Sequence, residues 1–415
     1  MPDSQDKYQL SLRQRMFEAA WAKATPAQKK RALPAVRKAA NQLSINAAAE
    51  KTAEALDSAR NLLHAKPWTD AEALVTPLTV DAPRCLMPGS KTLVLTIDAL
   101  YGGKELPKGV EVEATLDGNE VSVAATGRVN VTTLPEKLAL RLPAPQSDFD
   151  AILTVRFLLN NMPVLVEERT LSLLTSGPVR FIKPPHQMAS WAFRFYTDIV
   201  DGGQPDMEVP AAALLKQTLA ADSAKPAWGK GQPGEFWLSL EGTPTRLLAP
   251  EAVARRRPLP LVIALHDLNG SEASFFEGYG NGKSKALCEN RGWLLLSIRS
   301  GPGFRDFQGI LKAVNALYPI DRKRVFLFGH GMGGVFASTL VNNNPAGTFT
   351  ALACLGGGAK LTKKLPTLVA MGEQDTNMYQ AQQMGIKPRI YPNTEHLTVA
   401  QAALPDVFSF FDKYR

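Results

Sequence analysis

The stretch Arg324-Val325-Phe326-Leu327-Phe328-Gly329-His330-Gly331-Met332-Gly333-Gly334 decides the fold of the C-terminal half, and the helix-like Val335 to Val341 follows it. An apolar strand runs into small residues and then into a helix. Small residues at 329 and 333 let the chain turn sharply, which leaves the residue at 331 exposed above the sheet. That residue is Gly331, which has no functional group to offer. Outward from this turn, strands alternate with helices from Phe236 onward. The expected strands are Phe236 to Leu240, Thr245 to Leu248, Leu259 to Leu265, Trp293 to Ile298, Arg324 to Phe328, Ala351 to Leu355, Thr367 to Met371 and Pro388 to Tyr391. Leu261 to Leu265 and Val325 to Phe328 are uninterrupted apolar runs. Such strands are buried on both faces, as in a sheet covered by helices, so this half reads as an α/β domain with a sheet of about eight strands.

Three more segments lie at ends of those strands. Leu265-His266-Asp267-Leu268-Asn269-Gly270 ends one, Met371-Gly372-Glu373-Gln374-Asp375 ends another, and Asn393-Thr394-Glu395-His396 follows the last. Tyr318-Pro319-Ile320-Asp321-Arg322-Lys323-Arg324-Val325 leads into the turn. Together these resemble the α/β-hydrolases. The turn is similar to their nucleophile elbow, G-x-S-x-G, and the acid and histidine follow it in the family's order. The lead-in resembles the Y-x-x-D-x-x-R-V of feruloyl/acetylxylan esterases and polyhydroxyalkanoate depolymerase-like esterases. The resemblance covers residues 236–415 and none of the first 235.

The resemblance implies a serine esterase of carbohydrate esters or polyesters. His396 would be the base and Asp375 its orienter, and the backbone amides of Asp267, Leu268 and Met332 would form the oxyanion hole. The chain departs from the pattern at two places. Gly331 stands where the family has its serine, and Asp267 stands where a glycine is usual. Loss of a triad serine costs about 10⁶ in kcat, so the chain as written is expected to be inactive or nearly so. A carboxylate at 267 would also oppose a developing oxyanion. Glycine suits the elbow's strained backbone. Two histories give this sequence, a natural pseudoenzyme or a deliberately inactivated esterase. The alternative function is a non-catalytic binding protein for a polysaccharide or another polymer. No cofactor is expected, and no metal-ligand spacing, P-loop or dinucleotide fingerprint appears.

The remaining residues supply context. With 415 residues the chain is long enough for two or three domains at roughly 100–200 residues each. Hydrophobic residues at 45% and charged residues at 21% exclude a disordered, collagen-like or coiled-coil chain. No apolar run is long enough for a membrane span. The net charge of +8 is carried by clusters such as Lys29-Lys30-Arg31 and Arg255-Arg256-Arg257, without a nucleic-acid motif, and reads as a solvated basic surface. Cys85, Cys288 and Cys354 are too sparse for a disulfide framework or a zinc site. The opening MPDSQDKYQL lacks the apolar core of a leader, whereas the resemblance implies a secreted or periplasmic setting.

Residues 1–66 read as helices, with Thr25-Pro26-Ala27-Gln28 as a capping box and Pro34 expected to kink or restart a helix. Residues 67–175 alternate in short strands broken by turn signals, which predicts an antiparallel Ig-like β-sandwich of about seven strands, an accessory domain through which a polysaccharide would bind. Residues 176–235 read as a lead-in with helical stretches and an aromatic cluster, Trp191, Phe193, Phe195 and Tyr196. His330 and His266 read as packing and loop-forming residues. His64 and His186 have no partner in sequence.

Overall fold

A computed structural model describes residues 4–44, 48–86, 89–103, 105–118, 123–142, 147–175, 208, 210–213, 232–255, 257–268, 270–301 and 306–414. The expected helix from Met188 and the aromatic cluster at 191–196 lie outside these residues, as does His186. The chain divides into two compact units, one of residues 1–13, 48–57 and 64–227, the other of residues 14–47, 58–63 and 228–415. No described helix is long and apolar enough to cross a membrane.

Three helices open the chain: α1 (Ser4–Lys23), α2 (Pro26–Ser44) and α3 (Ala49–Leu63). Gln28 Oε1 accepts from the Thr25 amide at 2.7 Å, which closes the start of α2. The helix does not restart at Pro34, and α2 runs through it. Pro34 is exposed, so the carbonyl that loses its helical donor can be hydrated instead.

In the first unit the short helix α4 (Asp70–Ala73) precedes β1 (Leu78–Asp81), β2 (Cys85–Leu86), β3 (Thr92–Ala99), β4 (Val110–Gly118), β5 (Val123–Asn130), β6 (Glu136–Arg141), β7 (Phe149–Leu159) and β8 (Met162–Leu173). They form a three-stranded sheet, β1-β3-β6, and a five-stranded sheet, β2-β8-β7-β4-β5. Residues of β4 alternate between buried and partly exposed, the period of a strand with one face on a core.

The second unit holds an eight-stranded mixed sheet. Its elements are β9 (Gly234–Leu240), β10 (Thr243–Ala249), β11 (Leu259–Leu265), α5 (Lys283–Glu289), β12 (Leu294–Ile298), α6 (Phe307–Leu317), β13 (Ile320–His330), α7 (Met332–Asn343), β14 (Ala351–Leu355), β15 (Thr367–Gly372), α8 (Met378–Met384), β16 (Arg389–Tyr391) and α9 (His396–Phe411). The order is β16-β15-β14-β13-β11-β12-β10-β9. The hairpin β9–β10 is antiparallel, as is the β10–β12 pairing, and every other pairing is parallel. This order is consistent with an α/β-hydrolase fold. β11, β12 and β14 are buried at every position, as their apolar runs require. β13 begins at Ile320, earlier than the expected Arg324, because Ile320 already pairs with Leu259 ahead of an irregularity in β11. On one face Trp293, Phe326, Phe328, Phe408 and Phe411 form the core. Phe326 and Phe411 stack at 4.7 Å. Each such side chain contributes about 1.5–3 kcal/mol by burial, enough to anchor α9 and, with it, His396.

Within the same unit Glu18, on α1, is buried against α9. It accepts from Gln401 Nε2 at 2.6 Å and from the Gly280 amide at 3.3 Å. Burial pushes its carboxyl up to about 8, against these hydrogen bonds and the nearby Lys283.

Candidate functional site

The strand-to-helix turn after β13 is built by close backbone approach. A Cβ on Gly329 would lie 2.2 Å from the Gly333 carbonyl carbon, and one on Gly333 would lie 2.1 Å from the Leu265 carbonyl oxygen. Only glycine fits either position, so α7 can start hard against the ends of β11 and β13. Gly331 caps α7 with φ +52° and ψ −119°, a backbone region that side chains rarely adopt.

Above Gly331 sits the carboxylate of Asp267. A Cβ on Gly331 would come within 1.9 Å of Asp267 Oδ1 and 2.2 Å of its Cγ. The space a residue-331 side chain would take is therefore filled from the loop after β11. Asp267 Oδ1 accepts from the Met332 amide at 2.7 Å, and Oδ2 lies 2.8 Å from His396 Nε2. The amide at the head of a 12-residue helix favours an anion. These contacts, His396 first, hold the Asp267 carboxyl below its ordinary value, against a burial that raises it.

His396 opens α9, directly after its N-cap Glu395. The Glu395 side chain accepts from the Leu397 amide at 2.8 Å, and burial pushes its carboxyl up to about 8. His396 Nδ1 lies 3.2 Å from Asp375 Oδ2, and Asp375 Oδ1 accepts from the Asn377 amide at 2.9 Å. Burial disfavours a charged imidazole here. The hydrogen bonds that its ring makes to Asp267 and then to Asp375 override it and raise His396 well above its ordinary value. The ring lies between two carboxylates, and both favour its charged form.

Asp267, Gly331, Met332, Asp375 and His396 thus meet at one place, with one exchange of roles. The structure brings the side chain of Asp267 to the Met332 amide, where the backbone amide of Asp267 was expected to cooperate with it in binding an oxyanion. Leu268, next to Asp267 in the loop, is exposed at 53% of its surface, and Met332 at 37%. His266 shapes the loop. Its Nδ1 donates to the Asp267 carbonyl at 2.7 Å, and its Nε2 accepts from the Ser300 amide at 3.0 Å. Neighbouring nucleophiles stay out of reach of this chemistry. Ser338 Oγ donates to the Gly334 carbonyl within α7, and burial pushes the Cys354 thiol up to about 12.

Of three further contributors, sequence reasoning read His330 as a packing residue and passed over Gly356 and Asn377. His330 is fully buried, stacks on the His396 ring at 4.7 Å and donates from Nε2 to the His396 carbonyl at 2.8 Å. Burial, with the His396 charge beside it, pushes this imidazole down to about 4. Gly356 makes room for the His396–Asp375 pair, since a Cβ there would lie 2.9 Å from His396 Nδ1. The Asn377 side-chain amide lies 3.2 Å from that nitrogen. Of these, only His330, next to the elbow, offered a signal in the sequence.

Hydrolysis through a covalent acyl intermediate needs a nucleophile, a base with a free lone pair and unoccupied oxyanion donors. Here residue 331 has no side chain, the imidazole Nε2 is engaged by Asp267 at 2.8 Å, and the Met332 donor is taken by a carboxylate of the same chain.

No protein family matches the chain, and no curated protein matches it. Solved structures with some similarity include a ferulic acid esterase, at 11% identity and TM-score 0.37 over 44% of this chain and 97% of that one. An S-formylglutathione hydrolase from Staphylococcus aureus has 12% identity and TM-score 0.35, over 43% of this chain and 95% of that one. Another from Agrobacterium tumefaciens has 15% identity and TM-score 0.34, over 44% and 94%.

Proposed function

We propose that the unit containing the eight-stranded sheet is a pseudoesterase: an ester-hydrolase-type domain that binds an ester-bearing or polysaccharide ligand without cleaving it through an acyl intermediate. The observation that carries this reading is the Asp267 carboxylate, held by the Met332 amide at 2.7 Å and His396 Nε2 at 2.8 Å, over a Gly331 that leaves it the room. Sequence motifs and sheet order point to the ester-hydrolase type, and the chemistry of this cluster argues against turnover. Exposed Leu268 and Met332, each next in sequence to a residue of this cluster, offer apolar surface to a ligand. The strands of residues 67–175, read as a sandwich, would supply the polymer-binding accessory domain.

The test compares p-nitrophenyl acetate and butyrate hydrolysis by the unaltered chain and by His396→Ala. The expected result is that the two are indistinguishable at the background rate. Turnover by the unaltered chain that His396→Ala abolishes would overturn the reading, because it would show His396 working as a base.

A further inference from the structure

Three side chains with metal-binding atoms converge at the elbow from three separate elements. Asp267 comes from the loop after β11, His330 from the end of β13 and His396 from the start of α9, and one donor atom of each lies within 4.8 Å of the others. Each is already oriented through its other polar atom. His330 Nε2 donates to the His396 carbonyl, His396 Nδ1 faces Asp375, and Asp267 Oδ1 accepts from Met332. Metal-ligating imidazoles are held in this way, by a carboxylate or backbone carbonyl on the far nitrogen, which fixes the tautomer and aims the remaining lone pair.

The remaining atoms are Asp267 Oδ2 and His396 Nε2, which face each other at 2.8 Å, and His330 Nδ1. The last is an acceptor on a fully buried ring and finds no hydrogen-bond partner among the described residues. Buried polar atoms are paired in nearly all folded proteins, and an exception calls for a reason. A hydrogen bond of a proton held between Asp267 and His396 does nothing for it. A cation does.

We propose that Asp267 Oδ2, His330 Nδ1 and His396 Nε2 form a binding site for one divalent cation of the Zn²⁺ class, with a further position left for water or a ligand atom. The proposal rests on the reading of Asp267 as occupant of the nucleophile's place. Two imidazoles and one carboxylate suit Zn²⁺, Co²⁺ or Fe²⁺, whereas Ca²⁺ and Mg²⁺ need more oxygen donors. Tetrahedral donors at about 2.0–2.1 Å from zinc stand about 3.3–3.4 Å apart. The Asp267–His396 contact of 2.8 Å must therefore open by about half an ångström on binding.

The test is titration of chelator-stripped full chain with Co²⁺ and then Zn²⁺, followed by visible absorption and circular dichroism. One Co²⁺ per chain is expected, with the intense ligand-field bands of a four-coordinate site, and Zn²⁺ displaces it. Asp267→Asn and His330→Gln should each weaken binding at least tenfold. Asp267 is a partly exposed loop residue, so its variant keeps the test open if His330→Gln fails to fold. No binding tighter than about millimolar, or equal binding by the folded variants, overturns the proposal. Ester turnover by the chelator-stripped chain is scored separately. His396-dependent hydrolysis there overturns the pseudoesterase reading and leaves the metal titration to be judged by itself.

Discussion

Restoring the serine alone should fail, for a reason that can be measured. In Gly331→Ser the new Cβ arrives 1.9 Å from Asp267 Oδ1, a distance no real Cβ tolerates, so Asp267 must leave. Its departure breaks two hydrogen bonds of an ionised group, to the Met332 amide and to His396, at about 1.5–3 kcal/mol each. The backbone at φ +52° adds about 1–3 kcal/mol for a residue with a side chain. We expect Gly331→Ser to lose about 4 kcal/mol or more of stability by these terms and to remain without ester turnover. Asp267→Gly alone loses the same two bonds. The combined variant loses them only once, so its cost should fall short of the two single costs by about 3 kcal/mol. It should also turn over p-nitrophenyl acetate at least tenfold faster than either single variant. Urea unfolding and the ester assay on all four chains provide the cycle. Additive stability costs, or an active Gly331→Ser with Asp267 intact, would refute the reasoning.

Other outcomes follow from the same structure. Glu18 has a carboxyl raised from 4.5 to about 8 in the folded chain. The stabilising protonated form is thus fully present below about 4.5, and stability falls as pH rises towards 8, by about 2–5 kcal/mol in total. Glu18→Gln should flatten that fall in urea unfolding series, and an unchanged slope would count against a buried, protonated Glu18. Gly333→Ala places a Cβ 2.1 Å from the Leu265 carbonyl oxygen, a backbone atom that cannot step aside. A loss of about 3 kcal/mol or more is expected, and a thermal midpoint like that of the unaltered chain would contradict the close-packed turn.

Much of the second unit could be read from sequence because its signals are local. Uninterrupted apolar runs at Leu261 to Leu265 and Val325 to Phe328 mark strands buried on two faces, and the glycines at 329 and 333 mark the turn. Asp375 and His396 could be placed because each follows a strand end, and the structure sets them 3.2 Å apart. The role of the Asp267 side chain was not local. Gly331 and Asp267 read as two separate departures from an esterase pattern, one a loss and the other a nuisance. In space they are one exchange, in which a facing loop supplies the side chain that the elbow lacks. Pairing between loops that are remote in sequence leaves no periodicity, and the same holds for a donor set drawn from Asp267, His330 and His396. Pro34 is a different case, a proline that does not restart the helix, since its exposure lets water complete the interrupted hydrogen bonding.

The most direct measurement of the central claim is the protonation state of His396, read from long-range ¹H–¹⁵N spectra of the imidazole in the unaltered chain and in Asp267→Asn. An imidazole clamped by Asp267 and Asp375 and raised well above its ordinary value should keep its proton to higher pH than a free imidazole does. With Asp267 neutralised, it should lose its proton at distinctly lower pH. A His396 that is already neutral at about pH 7 in the unaltered chain, or that titrates identically in both, would show that Asp267 does not occupy the nucleophile's place.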